Sequence, residues 1–224
     1  MKKRLAASLV AMAMALALAY AGLANADQGS VLARPSAASY KALSAKWWQW
    51  AASTPFSDNG PFGQSGTDCS ENQPEGKVWF LAGQFTSDPA TRKCVIPAGR
   101  WLFLPVINVE CSSLEAEPFY GGTVAERRAC VEKDIFAFSE LVATLDGRAI
   151  VPNLDDYEVT SPNFPIVAVD GNPASIPAGR GFSVSKGVWL LLAPLDRGPH
   201  TIEFRGCIAA FEFCPKATYS ITVE

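Results

Sequence analysis

The residues of this sequence that could do acid–base chemistry form two acidic clusters. One lies around Cys111 and the other follows a predicted hairpin, and together they supply five candidates: Glu110, Glu115, Glu117, Asp155 and Asp156. A glycosidase needs two carboxyl groups that face each other about 5 Å or about 6.5–9.5 Å apart. The alternative is that these carboxylates are solvated charges on loops and have no catalytic role. The D-x-[DN]-x-[DN]-G pattern of a calcium loop is missing, and we predict no metal site.

The sequence gives less support to nucleophilic catalysis. His200 is the only histidine, so a Ser-His-Asp triad would have to use it. The segment Gly63-Gln64-Ser65-Gly66 misses the G-x-S-x-G pattern by one position and is predicted to lie in a loop rather than at a strand-to-helix elbow. We therefore assign no catalytic residue and no cofactor, and we favour a protein that is not an enzyme without excluding one.

Three tryptophans, Trp47, Trp48 and Trp50, lie within four consecutive residues and are the candidate ligand-binding side chains. Exposed indole faces stack on sugar rings. Trp47 and Trp50 fall on the apolar stripe of a predicted helix, which favours packing against the rest of the fold. Trp48 flanks that stripe and is the better candidate for an exposed platform.

The six cysteines are best explained as disulfides. An even number of cysteines in an exported chain is typical of a disulfide framework. Sequence alone does not choose among the possible pairings, but proximity suggests Cys69–Cys94, Cys111–Cys130 and Cys207–Cys214. A zinc site would need closely spaced Cys/His pairs such as C-x-x-C, which the sequence does not contain.

The beginning of the chain has the features of a cleavable signal peptide. Met1-Lys2-Lys3-Arg4 is followed by an uncharged, mainly apolar stretch that ends in Ala24-Asn25-Ala26. We predict a signal peptide over residues 1–26, with cleavage between Ala26 and Asp27. An uncleaved anchor is the alternative. No later segment is apolar enough for a transmembrane helix, and the expected location is the periplasm or the medium.

Removal of that leader would leave an acidic chain of one-domain size. The leader holds three basic residues, so 16 basic and 22 acidic residues remain, a net charge of −6. An acidic chain without runs of Lys or Arg lacks the electrostatic footprint for nucleic acid or anionic lipid. We exclude both as partners. The oligomeric state stays open.

The elements that must position these residues are mostly short strands. We predict an unstructured segment over 27–37, then a single domain over 38–224 with helices near 39–53 and 124–135. Thr123 and Glu126 form a capping box at the start of the second helix. Apolar runs punctuated by turns, including a hairpin at Asp146-Gly147, predict a mainly β protein built as an antiparallel sandwich. Jelly-roll and immunoglobulin-like topologies are not distinguished.

Several of these segments together resemble a group of exported bacterial proteins without an assigned activity. The resemblance spans most of residues 40–205 and rests on the order and spacing of four motifs: WWQWA at 47–51, VWFLAG at 78–83, C-x-IPAG-x-x-LF-x-PVIN-x-x-CS at 94–112, and LDG at 145–147 followed by SP-x-F at 161–164. It implies export and a framework that includes Cys94, Cys111 and Cys130. It implies no substrate and no catalytic residue, and Cys207 and Cys214 are less typical of the group.

Three functions follow as hypotheses. The first is a non-enzymatic extracellular binding or envelope-associated protein for a glycan or another surface polymer. The second is a hydrolase or lyase that acts on such a polymer through paired carboxylates. The third is a structural component of a surface or matrix.

Overall fold

A computed structural model describes residues 36–224. The predicted leader, the Ala26/Asp27 cleavage site and residues 27–35 lie outside the described residues. Within 36–224 the chain forms two helices and ten strands, and the prediction of a mainly β protein is confirmed.

The first helix, α1, spans Ala37–Ser53. It begins two residues before the predicted position 39 because the side chain of Ser36 accepts a hydrogen bond from the backbone N–H of Ser39 and caps the first turn. It ends at Ser53, and Thr54 is followed by Pro55, which cannot continue a helix.

The second helix, α2, spans Val124–Val131 and begins with the capping box formed by Thr123 and Glu126. It stops short of the predicted end near 135 because Lys133 takes an extended conformation. A short 3-10 helix, Asp134–Phe136, follows and carries the ring of Phe136 into the interior.

The strands form two five-stranded sheets. Their bounds are β1 Val78–Phe80, β2 Ala90–Ile96, β3 Trp101–Ser112, β4 Phe138–Leu145, β5 Arg148–Ala149, β6 Glu158–Thr160, β7 Phe164–Ala168, β8 Gly179–Leu192, β9 Gly198–Ile208 and β10 Lys216–Val223. The first sheet has the order β1-β3-β8-β6, with β7 also paired to β8, and the second has the order β2-β10-β9-β4-β5.

The prediction of an antiparallel sandwich is confirmed only in part, because each sheet contains one parallel pair. β1 runs parallel to β3, and β2 runs parallel to β10, with Ala90 opposite Ala217. Parallel strands need a long connection, and the whole second half of the chain separates β2 from β10. The remaining pairs are antiparallel, including the β4–β5 hairpin, whose turn residues Asp146 and Gly147 both have positive φ as a type I′ turn requires.

The core lies on both sides of the first sheet. On one side α1 packs Trp47 against Trp189 of β8, which stacks on Phe103 of β3 with ring planes 4° apart. The second sheet approaches β3 closely at Gly206, where a Cβ atom would lie 2.7 Å from Cβ of Ile107. Only glycine permits this approach without displacing the backbone.

Three disulfides hold the irregular segments to the sheets. The bonds are Cys69–Cys94, Cys111–Cys130 and Cys207–Cys214, the pairings that proximity along the chain suggests. The first ties the loop after α1 to β2, the second ties the end of β3 to α2, and the third closes the segment between β9 and β10. Disulfides of this kind belong to an extracellular or otherwise oxidising environment.

Candidate functional site

A cavity of about 300 Å³ lies where β3, α1 and the segment between β9 and β10 meet. Its size is at the lower end of the range for small-molecule sites. Its lining is mostly aromatic and aliphatic, with two carboxyl groups: Trp48, Phe85, Asn108, Val109, Glu110, Glu115, Phe119, Phe136, Ala174, Ile176, Ile208, Phe211 and Phe213.

Two serines position the two carboxyl groups. Glu110 lies near the end of β3 and is only 3% exposed, and its Oε2 accepts a hydrogen bond from the hydroxyl of Ser183 on β8. Glu115 follows in the next loop, where the hydroxyl of Ser112 donates to its Oε2 over 2.9 Å. The Cys111–Cys130 disulfide, directly after Glu110, fixes this end of β3 against α2.

The two glutamates affect each other's protonation. Burial raises the pKa of Glu110 well above the usual range, and the charge of Glu115 and a hydrogen bond to it raise that pKa further. Burial also raises the pKa of Glu115, although hydrogen bonds from Glu110 and Ser112 oppose the increase. Burial and the neighbouring carboxylate therefore favour the protonated form of Glu110.

The second oxygen of Glu110 is a buried acceptor without a protein donor. Within residues 36–224 no N–H or hydroxyl group donates to its Oε1. A proton shared with Glu115 can satisfy this atom, and so can a donor on a bound molecule. An unsatisfied carboxylate oxygen in an apolar cavity is unfavourable, so the site favours one of these two states.

A cluster of three phenylalanines forms one wall of the cavity. The ring centroid of Phe136 lies 5.4 Å from that of Phe119 and 5.5 Å from that of Phe211, and the centroids of Phe119 and Phe211 are 6.0 Å apart, so each ring contacts the other two. Phe211 is 41% exposed and marks the side of the cavity that faces solvent. The Cys207–Cys214 disulfide encloses Phe211 and thereby limits where its ring can lie.

The candidate tryptophans are all buried. Trp47, Trp48 and Trp50 are 0%, 4% and 4% exposed, so these three indoles do not form an exposed platform. Trp47 donates from Nε1 to the carbonyl of Leu81 over 2.9 Å, and Trp50 donates to the carbonyl of Glu71 over 3.4 Å. Trp48 differs: it lines the cavity, and its Nε1–H finds no acceptor in the described part of the chain.

The other candidate carboxylates lie elsewhere. Glu117 is exposed and forms an ion pair with Lys133 over 3.1 Å. Asp155 and Asp156 are exposed in a short 3-10 turn. Asp155 borders a larger concavity of about 550 Å³ beside β4. Because nearly all of the residues that line this concavity are exposed or only partly buried, it is shallow and lacks converging buried polar groups.

His200 has a local structural partner. Its Nδ1 lies 2.9 Å from Oδ2 of Asp146, and its Nε2 lies 3.0 Å from the carbonyl oxygen of Asp196. Both ring nitrogens are therefore occupied, and within residues 36–224 no serine forms a hydrogen bond with them. The same region of the chain contains no group of three His, Cys, Asp or Glu side chains that could hold a metal ion.

Sequence reasoning named three of the residues that line the cavity, Trp48, Glu110 and Glu115, without predicting that they meet. It missed the phenylalanines. The signal that was available is the F-E-F sequence at 211–213, two aromatic residues inside the short loop between Cys207 and Cys214. Its partners, Phe119 and Phe136, lie far away in the sequence and carry no comparable signal.

No helix within residues 36–224 is long and apolar enough to cross a membrane.

Comparisons with known proteins add little to this description. No family model matches the sequence, and no curated protein matches it. Among solved structures, a chain from the structure of PbICP-C in complex with falcipain-2 matches with 14% sequence identity and a TM-score of 0.25. The match covers 66% of this chain and 100% of that chain. A likeness at this level carries no argument about fold or function, and the candidate site has to be interpreted from its own geometry.

Proposed function

We propose that this protein is an exported, disulfide-stabilised binding protein whose cavity beside Trp48 holds a small, mainly apolar molecule. One observation carries the proposal. Two buried polar atoms, Oε1 of Glu110 and Nε1 of Trp48, lack partners among residues 36–224, and both belong to side chains that line the same aromatic cavity.

Unpaired buried polar atoms are unfavourable in a folded protein. An unpaired buried donor or acceptor costs about 1–3 kcal/mol, and most buried polar atoms in native structures are paired. An apolar pocket with a few polar groups is the usual form of a small-molecule site, because the apolar walls provide affinity and the polar groups fix orientation. The cavity has both components.

The three disulfides support the location outside the cytoplasm, as does the predicted signal peptide over residues 1–26. The glycan-binding form of the hypothesis loses the support expected from the tryptophans, because Trp47, Trp48 and Trp50 are buried. A ligand that enters the cavity fits the site better than a polymer laid across exposed indoles.

A fragment screen by ligand-detected NMR tests the proposal. We expect small aromatic fragments to bind the oxidised wild-type protein and not the Ala174→Phe variant, whose added ring would occupy the cavity. Ala178→Phe is the matched control, since Ala178 is exposed and does not line the cavity. Equal binding to both variants would place the ligand elsewhere. Absence of any binding would instead favour a structural surface or matrix component.

The Glu110–Glu115 pair supports a second candidate, a hydrolase. A glycosidase separates its carboxyl groups by at least about 5 Å, whereas proton-sharing carboxyl pairs act in acid hydrolases. The raised pKa values of Glu110 and Glu115 suit the second type. Hydrolysis of a polysaccharide or peptide library by the wild type, lost in Glu110→Gln and retained in Glu117→Gln, would favour this candidate.

A further inference from the structure

The cavity carries charge of one sign only. Glu110 and Glu115 are its charged residues, and none of the described residues that line it is Lys, Arg or His. A carboxylate or phosphate ligand would therefore meet a like charge in a poorly solvated site, which is strongly unfavourable. The residues that line the cavity therefore disfavour an anionic ligand.

The remaining walls suit a cation. Six aromatic side chains line the cavity: Trp48, Phe85, Phe119, Phe136, Phe211 and Phe213. The faces of aromatic rings carry negative potential and attract ammonium groups within about 6 Å. Aromatic walls combined with a buried anion are the usual means of binding an organic ammonium group.

We infer, on the premise that the cavity is the ligand site of the proposed function, that its ligand is an organic cation. Its ammonium group lies beside Glu110 and Glu115, and its apolar part lies against the cluster of Phe119, Phe136 and Phe211. An N–H of the ammonium group donates to Oε1 of Glu110, the acceptor that no donor within residues 36–224 satisfies.

A bound cation favours the ionised form of the two glutamates, whose pKa values burial raises in the free protein. Binding therefore releases protons. The titratable groups that face this site are the two glutamates themselves, because Ser183 and Ser112 supply only hydroxyl groups and no basic side chain lines the cavity.

Three probes of similar shape and different charge test this inference: 2-phenylethylammonium, propylbenzene and phenylacetate. We expect 2-phenylethylammonium to bind the oxidised wild-type protein at least about tenfold more tightly than propylbenzene, and phenylacetate not to bind. Calorimetry in phosphate and in Tris should give different apparent enthalpies for the ammonium probe, because released protons are taken up by buffers with different heats of ionisation.

Substitution of single glutamates tests which side chains bind the ammonium group. Glu110→Gln and Glu115→Gln should each weaken binding of 2-phenylethylammonium about tenfold or more and leave binding of propylbenzene unchanged, which also shows that the cavity is intact. Glu117→Gln, an exposed glutamate outside the cavity, should bind the ammonium probe like the wild type.

The outcomes separate the two proposals. If propylbenzene binds as tightly as the ammonium probe and competes with it, the cavity is a ligand site but the inference of a cation is wrong. If phenylacetate binds the most tightly, the inference is also wrong. If none of the three probes distinguishes the wild type from Ala174→Phe, the proposed function itself fails.

Discussion

Trp47 donates a hydrogen bond from its indole Nε1 to the carbonyl oxygen of Leu81, 2.9 Å away and 34 positions later in the sequence. This bond joins α1 to the segment that follows β1, in the most deeply buried part of the core. Its neighbour Trp48 is nearly as deeply buried, yet its Nε1 has no acceptor among the residues that the structure describes. Comparing the two indoles therefore isolates the contribution of the Trp47–Leu81 hydrogen bond to stability.

We predict that Trp47→Phe destabilises the protein more than Trp48→Phe does. Both changes remove the same atoms, but only the first leaves the carbonyl of Leu81 without this donor, a cost of about 1–3 kcal/mol. Urea denaturation of the oxidised proteins measures both free energies of unfolding. Equal losses would show that the Trp47–Leu81 hydrogen bond contributes nothing measurable to stability.

The pKa of His200 should exceed that of an exposed histidine. Burial lowers it, but the hydrogen bonds to Asp146 and to the carbonyl of Asp196 outweigh burial and raise it. The stability that this contact provides is fully present below the unfolded pKa, about 6.5, and is lost as the pH rises through the folded pKa. Because His200 is the only histidine, its imidazole signal in an NMR titration is assigned without ambiguity. Asp146→Asn should lower the titration midpoint, and an unchanged midpoint would refute the contact.

Glu110 should make the protein less stable as the solution becomes more alkaline. Its pKa is raised in the folded state by burial and by Glu115, so its protonated form is favoured there. The corresponding stability is fully present below the unfolded pKa of a glutamate and is lost as the pH rises through the folded pKa. Glu110→Gln should weaken this dependence, whereas Glu117→Gln should retain it. Thermal unfolding between pH 4 and pH 9 gives the comparison, and parallel profiles for wild type and Glu110→Gln would contradict the prediction.

We expect removal of different disulfides to affect stability and ligand binding to different extents. Loop-closure entropy predicts a loss of about 3.5 kcal/mol when Cys69 and Cys94 are both replaced by Ser, and about 2.5 kcal/mol for Cys207 and Cys214. The second pair encloses three residues that line the cavity, Ile208, Phe211 and Phe213, whereas the first encloses only Phe85. We expect the less destabilised variant to lose more of its affinity for the ammonium probe, as measured by calorimetry. Intact affinity in the Cys207→Ser/Cys214→Ser variant would mean that the phenylalanines hold their positions without the bond.

Local signals in the sequence predicted local structure well. The Thr123/Glu126 capping box begins α2, and Asp146-Gly147 forms the β4–β5 turn, because both depend on residues close together in the chain. The parallel pairing of β2 with β10 was not predictable in this way, since no short-range pattern reports which distant strand completes a sheet.

The same limit applies to the site. The carboxylates were recognised as candidates by residue type. The hydrogen bond from Ser183 that positions Glu110 was not predictable, because the two residues lie far apart in the sequence. Trp48 was the better candidate for an exposed platform because it flanks the apolar stripe of α1. It is buried because Phe85 covers it, with ring centroids 6.0 Å apart, and a helical pattern cannot show what a later loop will cover.

The Cys207–Cys214 bond also sets an order of events. Thiols stay reduced in the cytoplasm, so a newly made chain there would lack the closed loop that holds Phe211 and Phe213 at the cavity. On the proposal that the protein is exported, the chain completes this part of its cavity only in an oxidising compartment, and the proposed ligand binds there rather than in the cytoplasm.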